Sequence, residues 1–228
     1  MQIYCDFDGT VTRQDTTDLV LRELAAPGWE QLEAAWTSGE ISAAKCMREQ
    51  VALIGGDDAA LEAVLAQVDL RPGFRSFVRW CDRQSLPLTI VSDGVDRLIR
   101  SVLARHGLQH LPVVANRLSG APGQRRLEQP WSEPTCAAGS GVCKCRVVRP
   151  DRRSSMVYVG DGRSDFCVAE SAGLLFARGA LARHCVQNRL AFVPYDTFAD
   201  VHRYLFLVHQ ENLTPAEWLV AGTIGEMA

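Results

Sequence analysis

Three segments of the chain share one pattern: a near-continuous run of apolar, β-branched or aromatic residues that closes on small and acidic residues with glycine. They are QIYCDFDG at 2–9, LPLTIVSDG at 86–94 and SSMVYVGDG at 154–162, and a helical spacing follows each. Runs that stay apolar predict strands buried on both faces, as parallel strands in an α/β sheet are. Ligands of such sheets gather outside the carboxyl ends of the strands, so three polar ends are predicted at one rim.

The intervening helices are legible too. GVDRLIRSVLARHGL sets Leu98, Val102 and Leu103 on one stripe and is predicted to stop at Gly107, a left-handed C-terminal cap. DDAALEAVLAQV is predicted to start at Asp57 or Asp58, either of which caps free N–H groups. TPAEWLVAG offers Thr214 as N-cap, Pro215 at the first helical position and Glu217 three residues after the cap.

Residues 13–70 read as consecutive helices without a strand, broken at Pro27-Gly28, Gly39 and Gly55-Gly56. Helices inserted directly after a strand end are expected above the rim, as a lid. Ordinary crossover helices packed on the sheet are the alternative, and the length of the segment favours the lid. The predicted fold is therefore α/β: a Rossmann-like parallel sheet formed by 1–12 and 71–228, with an α-helical cap at 13–70.

Composition narrows the partners. With 228 residues, 47% hydrophobic, 22% charged and a formal net charge of -3, the chain can build one good core plus a small insert. The even charge balance argues against nucleic acid or a membrane surface as partner, and Arg125-Arg126 and Arg152-Arg153 are too short to alter that. No leader pattern is visible, and no stretch approaches the roughly 20 apolar residues that span a bilayer. The eight cysteines lie mostly in apolar runs, which points to a reducing cytoplasm without disulfides. Nothing separates a monomer from a homodimer.

The chemistry comes from the strand ends. Asp6, Asp8, Asp161 and Asp165 bring up to four carboxylates together, which is costly unless a divalent cation neutralises them. Oxygen-only ligands suit a hard ion such as Mg2+. Ser92, with the N–H groups of Asp93 and Gly94, offers a hydroxyl and turn amides to an anion. Such a set suits phosphoryl transfer, where positioning and charge neutralisation carry most of the catalysis.

DFDGTVT, Ser92 in IVSDG, Lys144 in CKCRVV and GDGRSDFCVA resemble the four ordered motifs of the haloacid dehalogenase superfamily of phosphatases. The helical insert resembles the cap of its phosphoserine phosphatase-like branch. The resemblance implies that Asp6 attacks phosphorus to form an aspartyl-phosphate. It implies that Asp8 protonates the leaving group, activates water and lends its carbonyl to magnesium, with Asp6 and Asp161 as metal ligands and Asp165 in support. Gly9, Thr10, Ser92, Asp93, Gly94 and Lys144 would surround the phosphate, with Arg146 or Arg149 as alternatives to Lys144.

CDFDGTVTRQDTTDLVL, WTSGEISAAKCMREQVALI, VVANRL, the Cys-flanked lysine and FARGALARHCVQNRLAFVPYDTFADV are similar to the methionine-salvage phosphatases. Those act on 2-hydroxy-3-keto-5-methylthiopentenyl-1-phosphate. Phosphocholine and phosphoethanolamine phosphatases share the layout, whereas phosphoserine phosphatases usually carry Glu where Asp15 stands and SGG where Ser92-Asp93-Gly94 stands. In the cap, Asp15 and Arg48 are the candidate substrate contacts, with helix capping or solvation as the alternative.

Cys136, Cys143 and Cys145 form a cluster without a nearby fourth ligand, since the five histidines lie elsewhere. A zinc ion completed by a distant residue and a loop of free thiols both fit that spacing. A non-catalytic binding module is the competing class, and four clustered acids argue against it.

Overall fold

The structure, a computed structural model, describes residues 1–148, 156–211, 213 and 217. The helix expected from Thr214 lies outside the described residues except for Glu217, as do Arg149, Pro150 and Arg152-Arg153.

The first apolar run forms β1 (Gln2–Cys5). Four helices follow before the next strand: α1 (Thr16–Leu24), α2 (Trp29–Thr37), α3 (Ala43–Ala52) and α4 (Asp58–Leu65). Asp15, Ser42 and Asp57 cap α1, α3 and α4 through side-chain acceptors, and Gly28, in the left-handed region, opens α2. The segment leaves and rejoins the sheet side by side, because Thr12 and Leu70 form an antiparallel bridge.

Next come α5 (Phe74–Arg83), β2 (Leu88–Val95), α6 (Asp96–Arg105), β3 (Val113–Ser119) and β4 (Arg126–Glu128). The stripe expected on α6 is buried, and Gly107 has φ +71. The chain then forms the short α7 (Lys144–Val147), β5 (Met156–Gly160), a 3-10 turn at Arg163–Asp165 and α8 (Phe166–Ala169). It closes with β6 (Leu174–Ala177), α9 (Gly179–Asn188), β7 (Val193–Pro194) and α10 (Phe198–Gln210).

The seven strands lie in the order β4-β3-β2-β1-β5-β6-β7. Every pairing is parallel except that of β3 with β4. This antiparallel edge departs from an all-parallel sheet, and its cause is local. Only a few residues connect the two strands, with Gly120 and Gly123 both at positive φ, and a connection that short can only return antiparallel. Along β5 alternate residues serve opposite faces: Val157 and Val159 join the larger core, Met156 and Tyr158 the smaller. The strands β2, β1 and β5, which end in the acidic signals, are adjacent at the centre, and chain order reverses at β1. No helix among the described residues is long and apolar enough to cross a membrane.

Candidate active site

Strand β1 continues its ladder one residue further, because the Asp6 N–H donates to the Val159 carbonyl at 2.9 Å. The chain then turns tightly: the Phe7 carbonyl accepts from the amides of Thr10, Val11 and Thr12 while the Phe7 ring is fully buried. Arg71 pins this turn, donating through Nε to the Thr10 carbonyl at 2.9 Å and through Nη2 to the Gly9 carbonyl at 2.5 Å.

Three glycines, one from each central segment, make room for carboxylates. A Cβ on Gly9, which has φ +74, would lie 2.5 Å from Asp161 Oδ2. One on Gly94 would lie 2.5 Å from Asp8 Oδ2, and one on Gly160 2.5 Å from Asp165 Oδ2. The small residues at the strand ends are thus what lets the acids converge.

Lys144 lies among these acids with no exposed surface. Its Nζ is 2.7 Å from Asp6 Oδ1 and 2.6 Å from Asp165 Oδ1. Asp165 is saturated: Oδ1 also accepts from the Tyr158 hydroxyl at 2.6 Å, and Oδ2 from the amides of Asp161 and Gly162 at 2.9 and 3.0 Å. Asp165 therefore aims Lys144 and fixes the turn after β5. Arg146, by contrast, reaches outward to the Ser132 carbonyl and Glu133.

The charges are strongly perturbed. Burial would lower the Lys144 pKa, but Asp165 and Asp6 outweigh it and push the value up, so the ammonium stays charged. Burial raises Asp6 well above the usual carboxylate range, Asp165 adds to the rise, and Lys144 opposes it. Asp8 is raised to about 6 by burial, against two hydrogen bonds from Thr16. Burial likewise raises Asp161, and Thr10 lowers it by donating to Oδ1 at 2.7 Å.

One ammonium against several acids leaves a negative excess. Carboxylate oxygens of Asp6, Asp161 and Asp165 lie within 4.8 Å of one another, an all-oxygen donor set that fits a hard divalent cation. With Asp165 saturated, Asp6 and Asp161 are the side chains with oxygens to offer.

Other expected residues take different parts. Strand β2 runs through Ser92, Asp93 and Gly94, which form no turn after it; its register with β3 shifts between Val91 and Val95. The Gly94 N–H donates to Ser92 Oγ at 3.0 Å. Asp93 lines the cavity, its carboxylate accepting from the Val142 amide at 2.8 Å, and the Asn116 amide donates to its carbonyl at 2.5 Å. Asp93 thereby ties β2 to the loop that delivers Lys144. Thr10 serves Asp161, and the Gly9 carbonyl serves Arg71.

Above the acids opens a cavity of about 930 Å³, walled on the other side by Trp36, Cys46 and Met47 of α2 and α3. Asp8 links the two sides, accepting from the Thr16 amide at 2.8 Å and the Thr16 hydroxyl at 2.5 Å. Asp15 lines the cavity and also caps α1, accepting from the Asp18 amide at 2.9 Å. Arg48 is not among the lining residues; its Nη1 donates to Gln129 Oε1 at 2.7 Å. Arg163 also lines the cavity, its guanidinium 6.0 Å from the Trp36 ring centroid. Sequence reasoning missed Arg71, Tyr158, Asn116 and Arg163. Arg163 lies inside GDGRSD, Tyr158 inside SSMVYVGDG and Asn116 inside VVANRL, whereas Arg71 lies in none of the quoted motifs.

A family model described as haloacid dehalogenase-like hydrolase matches residues 3–170. A Brevibacillus brevis protein named 2-hydroxy-3-keto-5-methylthiopentenyl-1-phosphate phosphatase is 30% identical over 216 residues, covering 92% of this chain and 96% of that one. A Geobacillus thermodenitrificans protein of the same name is 30% identical over 209 residues, covering 89% and 94%. Among solved structures, a substrate-bound phosphoserine phosphatase superposes with a TM-score of 0.67 at 18% identity, over 89% of this chain and 97% of that chain. At that identity the likeness concerns the fold.

Proposed function

The chain belongs to the haloacid dehalogenase-like hydrolases, and on that premise we propose that it is a magnesium-dependent phosphomonoesterase acting on 2-hydroxy-3-keto-5-methylthiopentenyl-1-phosphate. The observation that carries the reading is the buried Lys144 ammonium within 2.7 Å of both Asp6 and Asp165, directly behind Asp6, which lines the cavity. A carboxylate approaches a phosphate dianion only where positive charge offsets their repulsion.

In this reading Asp6 Oδ attacks phosphorus, forming the Asp6 O–P bond as the bond to the leaving oxygen breaks. Asp8 gives that oxygen its proton, a task suited to a carboxyl raised to about 6. It then takes a proton from the water that hydrolyses the aspartyl-phosphate. Asp6, Asp161 and the Asp8 carbonyl would hold magnesium, which would supply charge that keeps Asp6 anionic and balances the phosphate. Ser92 and Lys144 hold phosphate oxygens, and Gly9, Thr10, Asp93 and Gly94 shape the pocket around them.

Residues 1–12 and 71–228 act as the catalytic core and 13–70 as a cap whose closure excludes water. Trp36, Cys46 and Met47 give the leaving group an apolar, sulfur-bearing wall that suits a methylthio chain. The names of the two relatives support the same substrate. A second reading has its own observation: Asp15, Asp18 and Glu33 beside Trp36 would also receive a cationic headgroup, as in phosphocholine or phosphoethanolamine.

Phosphate release from the methionine-salvage ester, phosphoserine, phosphocholine and phosphoethanolamine, each with and without magnesium, separates these readings. The methionine-salvage ester is expected to exceed the others at least about tenfold in kcat/KM, the scale of a few apolar contacts. Equal slow turnover of all four would sink the substrate assignment. Asp6→Asn should lower every rate by on the order of 10⁴-fold, and unchanged turnover in that variant would sink the mechanism.

A further inference from the structure

The sequence cluster Cys136, Cys143 and Cys145 acquires a fourth member in the fold. Cys167, in α8, brings its sulfur to the other three, and all four Sγ atoms lie within 4.8 Å of one another. Cys143 and Cys145 are 3.2 Å apart, and Cys136 and Cys145 4.0 Å. No disulfide is formed, and each is a free thiol.

We propose that these four thiolates hold a structural zinc ion that clamps the loop carrying Lys144 to the turn carrying Asp165. Four sulfurs about 2.3 Å from one tetrahedral ion are about 3.8 Å from each other, which the observed spacings bracket. Four soft, converging ligands select a thiophilic ion, and their mutual distance leaves room for a single one. A closed set of four also leaves no position for substrate, so the role is structural.

The surrounding chain needs such a clamp. Residues 129–143 contain no helix or strand beyond the single Trp131–Val142 bridge. A connection of that length without regular structure is unusual in a compact core unless something ties it down. Residues 129–139 include no buried residue, and their large apolar side chain, Trp131, is 37% exposed, so burial does little to hold that stretch. Metal binding can supply the missing free energy directly.

Placement gives the clamp its consequence. Cys143 and Cys145 flank Lys144, and Cys167 lies two residues after Asp165. The ion would thus fix both partners of the 2.6 Å Lys144–Asp165 pair through their neighbours in the chain, with a ligand set separate from Asp6, Asp161 and Asp165. This inference does not depend on the identity of the substrate.

Elemental analysis of the full chain, purified reduced and without chelator, should find about one zinc per chain. Absorption spectroscopy at the zinc edge should show four sulfurs at about 2.3 Å. Cys167→Ser should lose most of the zinc, while Cys185→Ala, at a buried thiol outside the cluster, should retain it. Should Cys167→Ser fail to fold, alkylation of the wild-type protein still decides. Zinc should shield Cys136, Cys143, Cys145 and Cys167, and a strong chelator should expose them. Equal alkylation with and without zinc, an oxygen or nitrogen shell at the edge, or stoichiometric iron in place of zinc would each overturn the proposal.

Discussion

The two walls of the cavity are built on opposite principles. The floor is made of strand ends and the turns that follow them, where Lys144, Asp165 and Tyr158 are wholly buried and each polar atom has a fixed partner. The overhanging helices are held more loosely: α2 has no buried residue, and its Trp36 is only partly covered. The ties between the halves are individual polar contacts, among them Thr16 to Asp8, Arg48 to Gln129, Arg125 to the Ile54 and Gly55 carbonyls, and the Ala44 amide to the Gly139 carbonyl. Charge that must act on a phosphate cannot tolerate misplacement of even about 1 Å. A surface that grips the remainder of a substrate can be adjusted without dismantling the charges beneath it.

The largest break in that contrast should come from Lys144→Met. It leaves Asp6 and Asp165 buried against each other with no cation, which for a buried pair costs about 3–5 kcal/mol. Denaturant unfolding should register that loss together with a fall in kcat of about 10³-fold, because the same ammonium neutralises the attacking carboxylate. A variant as stable as the parent would show that the charges on the floor are not what holds it.

That floor is largely legible in the amino-acid sequence, and the reason is local. Parallel strands buried on both faces must be apolar, so the polar residues that end them stand out; Asp6, Asp8, Ser92, Asp161 and Asp165 are all marked in this way. The four helices of 13–70 are legible from their spacing and their Gly and Pro breaks. What escapes are partners far apart in sequence. Arg71 on the carbonyls of Gly9 and Thr10, and Asn116 on Asp93, follow from strand order, which no local pattern encodes. Cys167 escapes likewise, because a whole strand, β5, separates it in the chain from Cys145. Arg48 is a different case: a cationic residue on a cap helix has many directions open to it, and here it reaches Gln129.

A subtler break is Gly94→Ala. The added Cβ would lie 2.5 Å from Asp8 Oδ2 and 3.1 Å from Ser92 Oγ. Asp8 is held from the other side by Thr16, so it cannot retreat without giving up that link to α1. Overpacking of this kind costs about 1–3 kcal/mol, and a displaced acid should lower kcat by about 10²-fold. The activity loss should exceed that of an alanine at exposed Gly39, where nothing lies within 4 Å, although Gly39, unlike Gly94, has positive φ. Comparing the two separates crowding at Asp8 from general backbone strain.

The smallest effect on the protein, and the sharpest on the contrast, is expected from Trp36→Ala. The ring is part of a helix with no buried residue, so stability should change by no more than about 1 kcal/mol in thermal unfolding. It also faces the cavity and lies near the Arg163 guanidinium, so a substrate reaching past the phosphate loses a wall. KM for the preferred ester should rise about tenfold. A small aryl phosphate, which reaches little beyond the floor, should keep its kcat within about threefold, since Asp6, Asp8 and Lys144 are untouched. If both substrates lost kcat equally, the helices would be part of the charge machinery and the division between the two walls would fail. If instead KM alone rose, and rose most for the ester that the wild type prefers, the floor would hold the reaction and the helices the choice of molecule.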